Sequence, residues 1–531
     1  MTGRLLPVLT RRLDLAAPPL ALFRALTDEG TRPHTVLLES AEPESRRHQR
    51  SLLVVSAALR VTCRQDAVTI AALKPEAEAL LRMLQPALAG VGADLSGPEL
   101  RVAIPRSSGV AADTDRLRAP SALDVLRVVA RTLRTERSDL PESLLLAGLM
   151  SYDMAGLFET LPAARAAGFP VPLYEFYLAD RIVIVDHLRG FTEIIAVVTD
   201  PGESAAIEDA RSAVAAMTEA ARGAAGGDDS APAPDPAPGE PADVPDAMAD
   251  LDDAAFAALV RRLQRYIKQG DVFQIVASRT FSLPCSDPLG AYERLRRTEP
   301  APYLFYLNAG DFTLFGASPE SAVRVDGRSR LVEVSPIAGT RPRGLAADGA
   351  IDPELDVRNE AELRLDPKEN AEHLMLVDLA RNDVARISRP GTRRVTELLR
   401  VERFGRVMHL VSRVSGELAP GLDALHACQA CLNPGTLTGA PKLRAMQLLR
   451  EHEAEARGHY GGAIGYLQGD GSLDTAIVIR AALVQGGMAR VRAGAGIVHD
   501  SDPMREAEET RQKAASVLRA IGEPVEAAAH A

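Results

Sequence analysis

Alternating apolar and polar positions predict a chain rich in β-hairpins. Residues 50–73 predict two strands joined by a turn at Arg64–Asp66. Comparable β-rich runs, with Gly or Asp at the turn, occupy residues 303–318, 322–334 and 463–498. Gly or Asp between two such runs is typical of a tight hairpin connection. The pattern therefore indicates antiparallel pairing between neighbouring strands.

Helical segments lie between the hairpins. The sequence predicts helices over 252–269, 366–387, 441–455 and 504–520. Clustered hairpins with helices between them favour packed antiparallel β-sheets flanked by helices over a repeat of parallel βαβ units. The predicted fold class is α+β, within the broad α/β group, with two domains.

One segment divides the chain by composition. Residues 223–245 consist mainly of Ala, Pro, Gly and Asp and contain almost no large apolar side chain. Such a segment buries too little surface to fold by itself, so it is typical of a linker or exposed loop. We predict an N-terminal domain over 1–222, a linker over 223–247 and a second domain over 248–531.

Composition excludes several classes of protein. A net charge of −11 argues against nucleic-acid binding through a broad basic surface. No window approaches the apolar length that spans a membrane, and we expect a cytoplasmic protein without a membrane partner. The four cysteines are too few for a disulfide framework in 531 residues. Cys428 and Cys431 have metal-like spacing, but their apolar segment favours buried thiols.

A Pro- and Gly-rich run follows the strand pattern at residues 331–335. Residues 336–344 (PIAGTRPRG) predict a loop that offers backbone N–H groups, a Thr hydroxyl and two guanidinium groups to an anion. A solvated basic turn is the alternative for this run taken alone.

Two predicted helices each carry a Glu-x-x-Glu pair. Glu369 and Glu372 share one helix face, as do Glu506 and Glu509, and Lys513 follows Glu509 by four positions. Converging carboxylates repel unless a cation lies between them, and oxygen ligands favour Mg²⁺. Two solvated helix faces are the alternative.

Six further positions are candidates for chemistry. Arg480 ends a β-rich run, where a guanidinium group suits a carboxylate ligand. Gly494-Ala495-Gly496 lets backbone N–H groups approach an anion, although such glycines also mark bulges. Taken alone, His409 lies among apolar residues and is typical of a core histidine, and Glu320 is typical of an exposed turn.

Together these segments resemble the chorismate-binding enzymes, and within that family the match to component I of the anthranilate synthases is close. It extends over nearly the whole chain, including residues 34–41 (HTVLLESA) near the N-terminus. The motifs that carry the resemblance are PIAGTRPRG, ENAEHLMLVDLARND, MHLVSRVSGEL, NPGTLTGAPK, YGGAIGY, DTAIVIRAALV and AGAGIVHDSDP followed by EAEETRQKA.

The resemblance implies a two-domain chorismate-utilising fold and a reaction. Ammonia would add to C2 of chorismate with loss of the C4 hydroxyl, giving aminodeoxyisochorismate. Elimination of pyruvate would then give anthranilate, the first committed step of tryptophan biosynthesis. Aminodeoxychorismate synthase and a non-catalytic, tryptophan-sensing subunit are the alternatives.

The resemblance also implies roles for individual residues. Glu372 and Glu509 would bind Mg²⁺ directly, and Glu369 and Glu506 would bind it through water. Glu320 would be the general acid, His409 would act in pyruvate elimination, and Gln274 and Thr436 complete the catalytic set. The substrate-binding positions would be Gly339, Thr340, Tyr460, Arg480, Gly494, Ala495, Gly496 and Lys513.

Two positions favour the anthranilate branch of the family. By resemblance, aminodeoxychorismate synthases often carry Lys where this chain has Ala338, and isochorismate synthases carry Lys where it has Gln274. A small side chain and a neutral amide suit a site that uses ammonia without generating hydroxide.

Two partners follow from the resemblance. None of the four cysteines has the Gly-flanked turn of an amidotransferase nucleophile, so a separate glutamine amidotransferase subunit, in a heterotetramer, would supply ammonia. L-Tryptophan would act as a feedback inhibitor. Its predicted site combines Glu39, Ser40, Arg50, Pro302, Tyr303 and Leu304.

Overall fold

A computed structural model describes residues 5–40, 50–65, 67–104, 113–166, 168–225, 247–346, 350–404 and 407–522. Residues 226–246, which make up most of the predicted linker, lie outside these ranges. Asp66 of the predicted hairpin turn does so as well.

The β-strands, numbered in chain order, are distributed over both predicted domains. They are β1 Val8–Leu13, β2 Thr35–Glu39, β3 Arg50–Arg64, β4 Ala67–Ala72, β5 Asp94–Ser96, β6 Glu99–Ala103, β7 Leu145–Met150, β8 Tyr174–Asp186, β9 Phe191–Val197, β10 Met248–Ala249, β11 Gln274–Pro284, β12 Tyr303–Asn308, β13 Thr313–Ser318, β14 Ser321–Asp326, β15 Leu331–Val334, β16 Ile337–Pro342, β17 Arg394–Phe404, β18 Val407–Glu417, β19 Gly439–Ala440, β20 Ala463–Gln468, β21 Leu473–Ile477, β22 Ala481–Gln485 and β23 Met488–Ile497.

The α-helices lie between these strands. They are α1 Pro19–Leu26, α2 Glu78–Leu88, α3 Asp113–Arg118, α4 Leu123–Thr132, α5 Ser204–Ala224, α6 Asp253–Lys268, α7 Pro288–Thr298, α8 Pro353–Leu365, α9 Pro367–Ala385, α10 Ala424–Cys431, α11 Gly435–Thr438, α12 Lys442–His452 and α13 Pro503–Gly522. Short 3₁₀ turns occur at Pro75–Ala77, Ala89–Val91, Pro141–Ser143 and Tyr152–Leu157. The four helices predicted from the sequence are thus α6, α9, α12 and α13.

Ladders between the described strands are antiparallel, and they form two branches that meet at the long strands β3 and β8. One branch runs β1-β9-β8-β3-β2-β12-β13-β22-β23-β11. The other leaves β8 through β7, β20, β21, β14 and β15 to β18, which pairs with β16 and β17. The register of β3 with β8 shifts between Val54 and Leu59, where the ladder passes from one branch to the other. The predicted α+β class is confirmed.

Residue alternation on the strands separates two cores. Val36 and Val54 point into a large cluster that also contains Leu149 of β7 and Ile464 of β20, so this cluster joins the two branches. Their neighbours Leu37 and Leu53 point the other way, into a cluster with side chains of α1, α5, α7 and α13. The branch from β1 to β11 is therefore packed on both faces. The branch that leaves β8 through β7 covers one face, and helices cover the other.

The two predicted domains share these sheets. Strand β2 pairs with β12, and β7 pairs with β20, so strands from before residue 223 lie beside strands from after residue 247. The domain division remains a prediction about the chain. Within the described ranges, no helix has the length and apolar character needed to cross a bilayer. The four cysteines are buried, Cys428 and Cys431 within α10.

Candidate active site

The predicted catalytic acid, Glu320, lies in the turn between β13 and β14 and is buried. Its side chain is 6% exposed, and its Oε1 accepts a hydrogen bond from Thr436 Oγ1 at 3.1 Å. Burial raises the pKa of Glu320 to about 8, although Thr436, the Ile337 N–H and the charge of Lys513 act in the opposite direction. The carboxyl therefore holds its proton at neutral pH and can donate it. The isolated motif had suggested an exposed turn, and that alternative was wrong.

Glu372 on α9 is hydrogen-bonded to the first residue of strand β11. Gln274 Nε2, at the start of β11, donates a hydrogen bond to Glu372 Oε1 at 2.8 Å. Burial raises the pKa of Glu372, the Gln274 bond lowers it, and the nearby charge of Glu369 raises it further. The other amide atom, Gln274 Oε1, is buried without a partner among the described residues.

The second acidic pair lies near the N-terminal end of α13. Burial raises the pKa of Glu506, and the charge of Glu509 adds to that effect. Lys513 Nζ lies 2.7 Å from Glu509 Oε1 and donates to the Gly494 carbonyl at 3.1 Å. The charge of Lys513 also acts on Glu372 and Glu506, and Lys368 acts on the same two carboxyls. The two Glu-x-x-Glu pairs therefore face a common electrostatic environment.

This donor set fits a hard divalent cation. Glu506 Oε2 is buried without a hydrogen-bond partner among the described residues, and burial keeps Glu372 and Glu506 from ionising easily. A cation nearby would favour the charged form of both carboxyls. In the described part of the chain, no three acidic, His or Cys side chains are close enough together to hold an ion by themselves.

The glycine-rich part of β23 forms one wall of the site. Gly494, Ala495 and Gly496 pair with β11, opposite Ser278, Ala277 and Val276. A Cβ on Gly494 would lie 2.7 Å from the Tyr460 hydroxyl, and one on Gly496 would lie 2.7 Å from Gln274 Nε2. Glycine is therefore needed for the close approach of Tyr460 and Gln274 to this strand.

Residues 336–344 were predicted as a loop, and that prediction was wrong for most of the run. Ile337–Pro342 form strand β16, which pairs with β18. The register shifts between Ala338 and Thr340, because Gly339 at φ +80° adopts the left-handed backbone of a bulge. The bulge brings Thr340 opposite His409, and Thr340 Oγ1 lies 2.9 Å from His409 Nδ1.

His409 is held as a neutral imidazole. Burial lowers the pKa of His409 to about 4, and the positive charge of Arg480 adds to that effect. Arg480 itself, between β21 and β22, has a left-handed backbone at φ +50° and accepts a hydrogen bond from the Ala317 N–H through its carbonyl. Arg480 is thus placed near both His409 and the Glu320 turn.

The guanidinium groups of residues 336–344 do not remain available to an anion as expected. Arg341 donates to Asp366 Oδ2 at 2.6 Å and to Glu369 Oε1 at 3.2 Å. Arg343 donates to Asp356 Oδ1 at 2.7 Å. These arginines are paired with carboxylates at α9 and α8, so they orient the acidic helices. Arg480, whose charge acts on His409, is the other predicted guanidinium.

Sequence reasoning missed a buried network behind the site, centred on Arg457. This side chain is 5% exposed, and it donates to the carbonyls of Leu437 at 2.5 Å and Val276 at 2.6 Å. It also donates to both oxygens of Glu453 at 2.8 Å. Arg457 thereby ties the Thr436 turn to β11. The i,i+4 spacing of Glu453 and Arg457 was visible in the sequence and could have suggested the pair, but not its burial.

The residues of the predicted inhibitor site line one cavity between the two branches of the sheet. It encloses about 660 Å³, part of it open to solvent, and its lining includes all six predicted positions: Glu39, Ser40, Arg50, Pro302, Tyr303 and Leu304. Tyr303 donates to Asp474 at 3.1 Å, and Ser40 Oγ is buried without a partner among the described residues. The Glu39 carboxylate is bound by Tyr292 at 2.6 Å and by Arg296 at 3.1 Å.

Comparisons with known proteins show which family the chain resembles. A family model described as chorismate binding enzyme matches residues 97–519. The chain is 48% identical over 507 residues to anthranilate synthase component 1 of Escherichia coli, covering 95% of this chain and 94% of that protein. It is 49% identical over 487 residues to the pyocyanine-specific component 1 of Pseudomonas aeruginosa, covering 92% and 89%. The crystal structure of anthranilate synthase component I from Streptococcus pneumoniae matches with a TM-score of 0.67 at 30% identity, over 90% of this chain and 94% of that one.

Proposed function

Because this chain belongs to the family of chorismate-binding enzymes, we propose that it is the large subunit of an anthranilate synthase. The substrates are chorismate and ammonia, and the products are anthranilate, pyruvate and water. The observation that carries the proposal is the buried, protonated Glu320 close to the charge of Lys513, which also acts on Glu372 and Glu506.

The first step requires an acid. The nitrogen of ammonia forms a bond to C2, the ring double bonds shift, and the bond between C4 and its hydroxyl breaks. Glu320 supplies a proton to that oxygen so that it leaves as water. The Thr436 hydroxyl, which donates to Glu320 Oε1, orients the acid and stabilises the carboxylate that remains.

The second step requires a base. The base takes a proton from C2, the bond between C3 and the enolpyruvyl oxygen breaks, and the ring becomes aromatic. The released enolpyruvate then takes up a proton and becomes pyruvate. His409 suits this step because its imidazole is neutral and its Nδ1 is fixed by Thr340. The backbone of Gly339 and Gly494–Gly496, with Tyr460, Arg480 and Lys513, would hold the substrate.

Mg²⁺ is the cation that the acidic residues support best. Glu372 and Glu509 would hold it directly, Glu369 and Glu506 through water, and the remaining positions would be filled by solvent and substrate oxygens. When bound, the ion supplies positive charge to the ring carboxylate of chorismate. The hydrogen bond from Gln274 holds one carboxylate oxygen of Glu372 in place. It thereby restricts the directions in which the second oxygen of Glu372 could bind the ion.

Two residues favour an anthranilate synthase over the other enzymes of the family. Ala338 provides no amine that could attack the ring, and Gln274 provides no amine that could activate water as a base. Aminodeoxychorismate synthase, which would place the nitrogen at C4, is therefore the weaker candidate.

Ammonia would come from a separate glutamine amidotransferase subunit. The relatives are components numbered 1, which implies a second component. We also propose that L-tryptophan inhibits the enzyme from the cavity at Ser40. There Ser40 Oγ, which has no hydrogen-bond partner among the described residues, lies with the Arg50 guanidinium and the acidic groups Glu142 and Asp474, and these groups can bind an amino acid.

The test is a direct assay of the purified chain. With chorismate, Mg²⁺ and ammonium chloride we expect equimolar anthranilate, followed by fluorescence, and pyruvate. Glutamine alone should not replace ammonium. Product without anthranilate fluorescence would indicate amination at C4 and contradict the proposal, and absence of chorismate consumption would favour a non-catalytic subunit.

A further inference from the structure

A second cavity lies on the same face of the sheet as the proposed reaction site. It encloses about 510 Å³, part of it open to solvent, and it is lined by Thr280, His459, Tyr460, Arg490 and Arg492 among others. Gly494, Arg492 and Arg490 are alternate residues of β23, so their side-chain positions share one face. At about 3.4 Å per residue, Arg490 is about 14 Å along the strand from Gly494.

His459 presents unused polar atoms to this cavity. Its side chain is 3% exposed, and neither Nδ1 nor Nε2 has a hydrogen-bond partner among the described residues. Its ring packs against Phe312, with 5.2 Å between the ring centroids. A buried imidazole without a protein partner is costly, so it points to a small polar molecule that can both donate and accept.

Charged groups on the walls are paired with each other. Arg490 pairs with Glu455, and Arg492 donates to Glu453 at 3.1 Å. Arg457 is bound to the same Glu453. Three guanidinium groups thus face two carboxylates, and this excess of positive charge disfavours a further cation.

Tyr460 is common to the cavity and to the proposed reaction site. It lines the cavity, and its hydroxyl lies 2.7 Å from the position of a Cβ on Gly494. This side chain therefore contacts both the cavity and the glycine-rich strand of the proposed site.

We propose that this cavity binds neutral ammonia and delivers it past Tyr460 to C2 of chorismate. The inference rests on the proposed function, because it names the route of one substrate. Ammonia has three N–H donors and one lone pair, which match the acceptor and donor nitrogens of a neutral imidazole. Burial lowers the pKa of His459 to about 3, so the ring does not protonate its guest. Ammonium, the main form at neutral pH, is repelled by the arginines.

The kinetic test varies ammonium and chorismate separately. In His459→Leu, loss of a hydrogen bond should raise the KM for ammonium about three- to tenfold and leave the KM for chorismate within about twofold. Ala481→Val, which narrows the cavity without removing a polar atom, should shift the KM for ammonium in the same direction. His452→Leu is the matched control, because His452 hydrogen-bonds Tyr266 and does not line the cavity.

A second readout does not depend on activity. Crystals of the wild-type chain soaked in methylamine at alkaline pH should show the amine nitrogen within hydrogen-bond distance of His459, and His459→Leu crystals should not. An unchanged KM for ammonium in both folded cavity variants, or a shift only in the KM for chorismate, would overturn the route. An empty cavity after soaking would overturn the binding site.

The two proposals fail in different ways. If the wild-type chain forms no anthranilate but binds the amine at His459, the proposed function fails and the site stands. If the wild-type chain is active and neither variant nor soak shows an effect, the ammonia site fails and the proposed function stands.

Discussion

The Glu320 carboxyl keeps its proton because the fold buries it away from water and offers it few hydrogen-bond donors. The Thr436 hydroxyl, the Ile337 N–H and the charge of Lys513 favour the ionised form, but together they do not offset burial. His409 is the converse case, since burial keeps an imidazole neutral. One acid and one base are therefore ready in their active forms across neutral pH.

Replacing Glu320 by Gln should separate activity from stability. We expect kcat for chorismate to fall about 100- to 10,000-fold, because the amide cannot protonate the leaving hydroxyl. Between the ordinary Glu pKa of about 4.3 and the folded value near 8, the wild-type folded state binds the extra proton, so its stability falls as pH rises. The melting temperature of Glu320→Gln minus that of the wild type should therefore increase from pH 5 to pH 8. A constant difference would contradict the raised pKa.

The pH–rate profile should report the same groups. If Glu320 must be protonated and His409 neutral, kcat should decline as pH rises through about 8 and as it falls toward about 4. The measurement is anthranilate formation at saturating substrates from pH 5 to pH 9. An acid limb near pH 6.5 would show that His409 titrates as in water.

Arg457 should be more sensitive than surface arginines. Arg457→Lys removes the planar fork that reaches Leu437, Val276 and Glu453 together, so we expect a loss of about 1–3 kcal/mol in urea unfolding and a lower kcat. Arg444→Lys is the control, since Arg444 forms a half-exposed pair with Asp271. Equal effects would show that the network does not position the Thr436 turn.

At the scale of elements, local signals were sufficient for hairpins and helices. The turns after β12, β14, β20 and β22 were predicted because Gly or Asp lies between β-rich runs, and α9 and α13 were predicted with their Glu pairs. Strand β16 was missed because its Pro and Gly residues are typical of loops, and its pairing with β18 is more than 60 residues distant in the chain. Likewise, the partners of Arg341 lie on another element, which no local pattern reveals.

The N-terminal part of α13 provides a matched pair of tests for the cation. Glu509→Gln should raise the Mg²⁺ concentration for half-maximal activity at least about tenfold, because Glu509 is the proposed direct ligand. Glu508→Gln changes the adjacent carboxylate, which is exposed and pairs with Arg511, and should leave that concentration unchanged. Titration of activity with Mg²⁺ measures both, and equal effects would place the ion elsewhere.

At the scale of the whole molecule, the proposed inhibitor cavity and the proposed reaction site share one strand. β21 contributes Asp474 and Ala476 to the cavity at Ser40, and its Ile477 N–H donates to the Glu320 carbonyl at 3.0 Å. The sequence predicted the two sets of residues through resemblance but could not show this link, because it depends on pairing between β14 and β21.

Tryptophan should act through the cavity at Ser40. In Ser40→Phe the aromatic ring fills the space, so inhibition of anthranilate formation by tryptophan should be lost while turnover without tryptophan stays within about twofold. Binding can be followed by indole fluorescence, because the chain contains no Trp. Inhibition that is undiminished in the variant would move the regulatory site elsewhere.

Strand β2 pairs with β12, and β7 pairs with β20, so each half of the polypeptide provides strands that hydrogen-bond the strands of the other half. A fragment ending before the linker would present bare strand edges and aggregate. Two fragments produced together, divided within 226–246, should instead assemble and restore turnover. The molecule could then serve as a split reporter, in which anthranilate forms only when the two fragments associate.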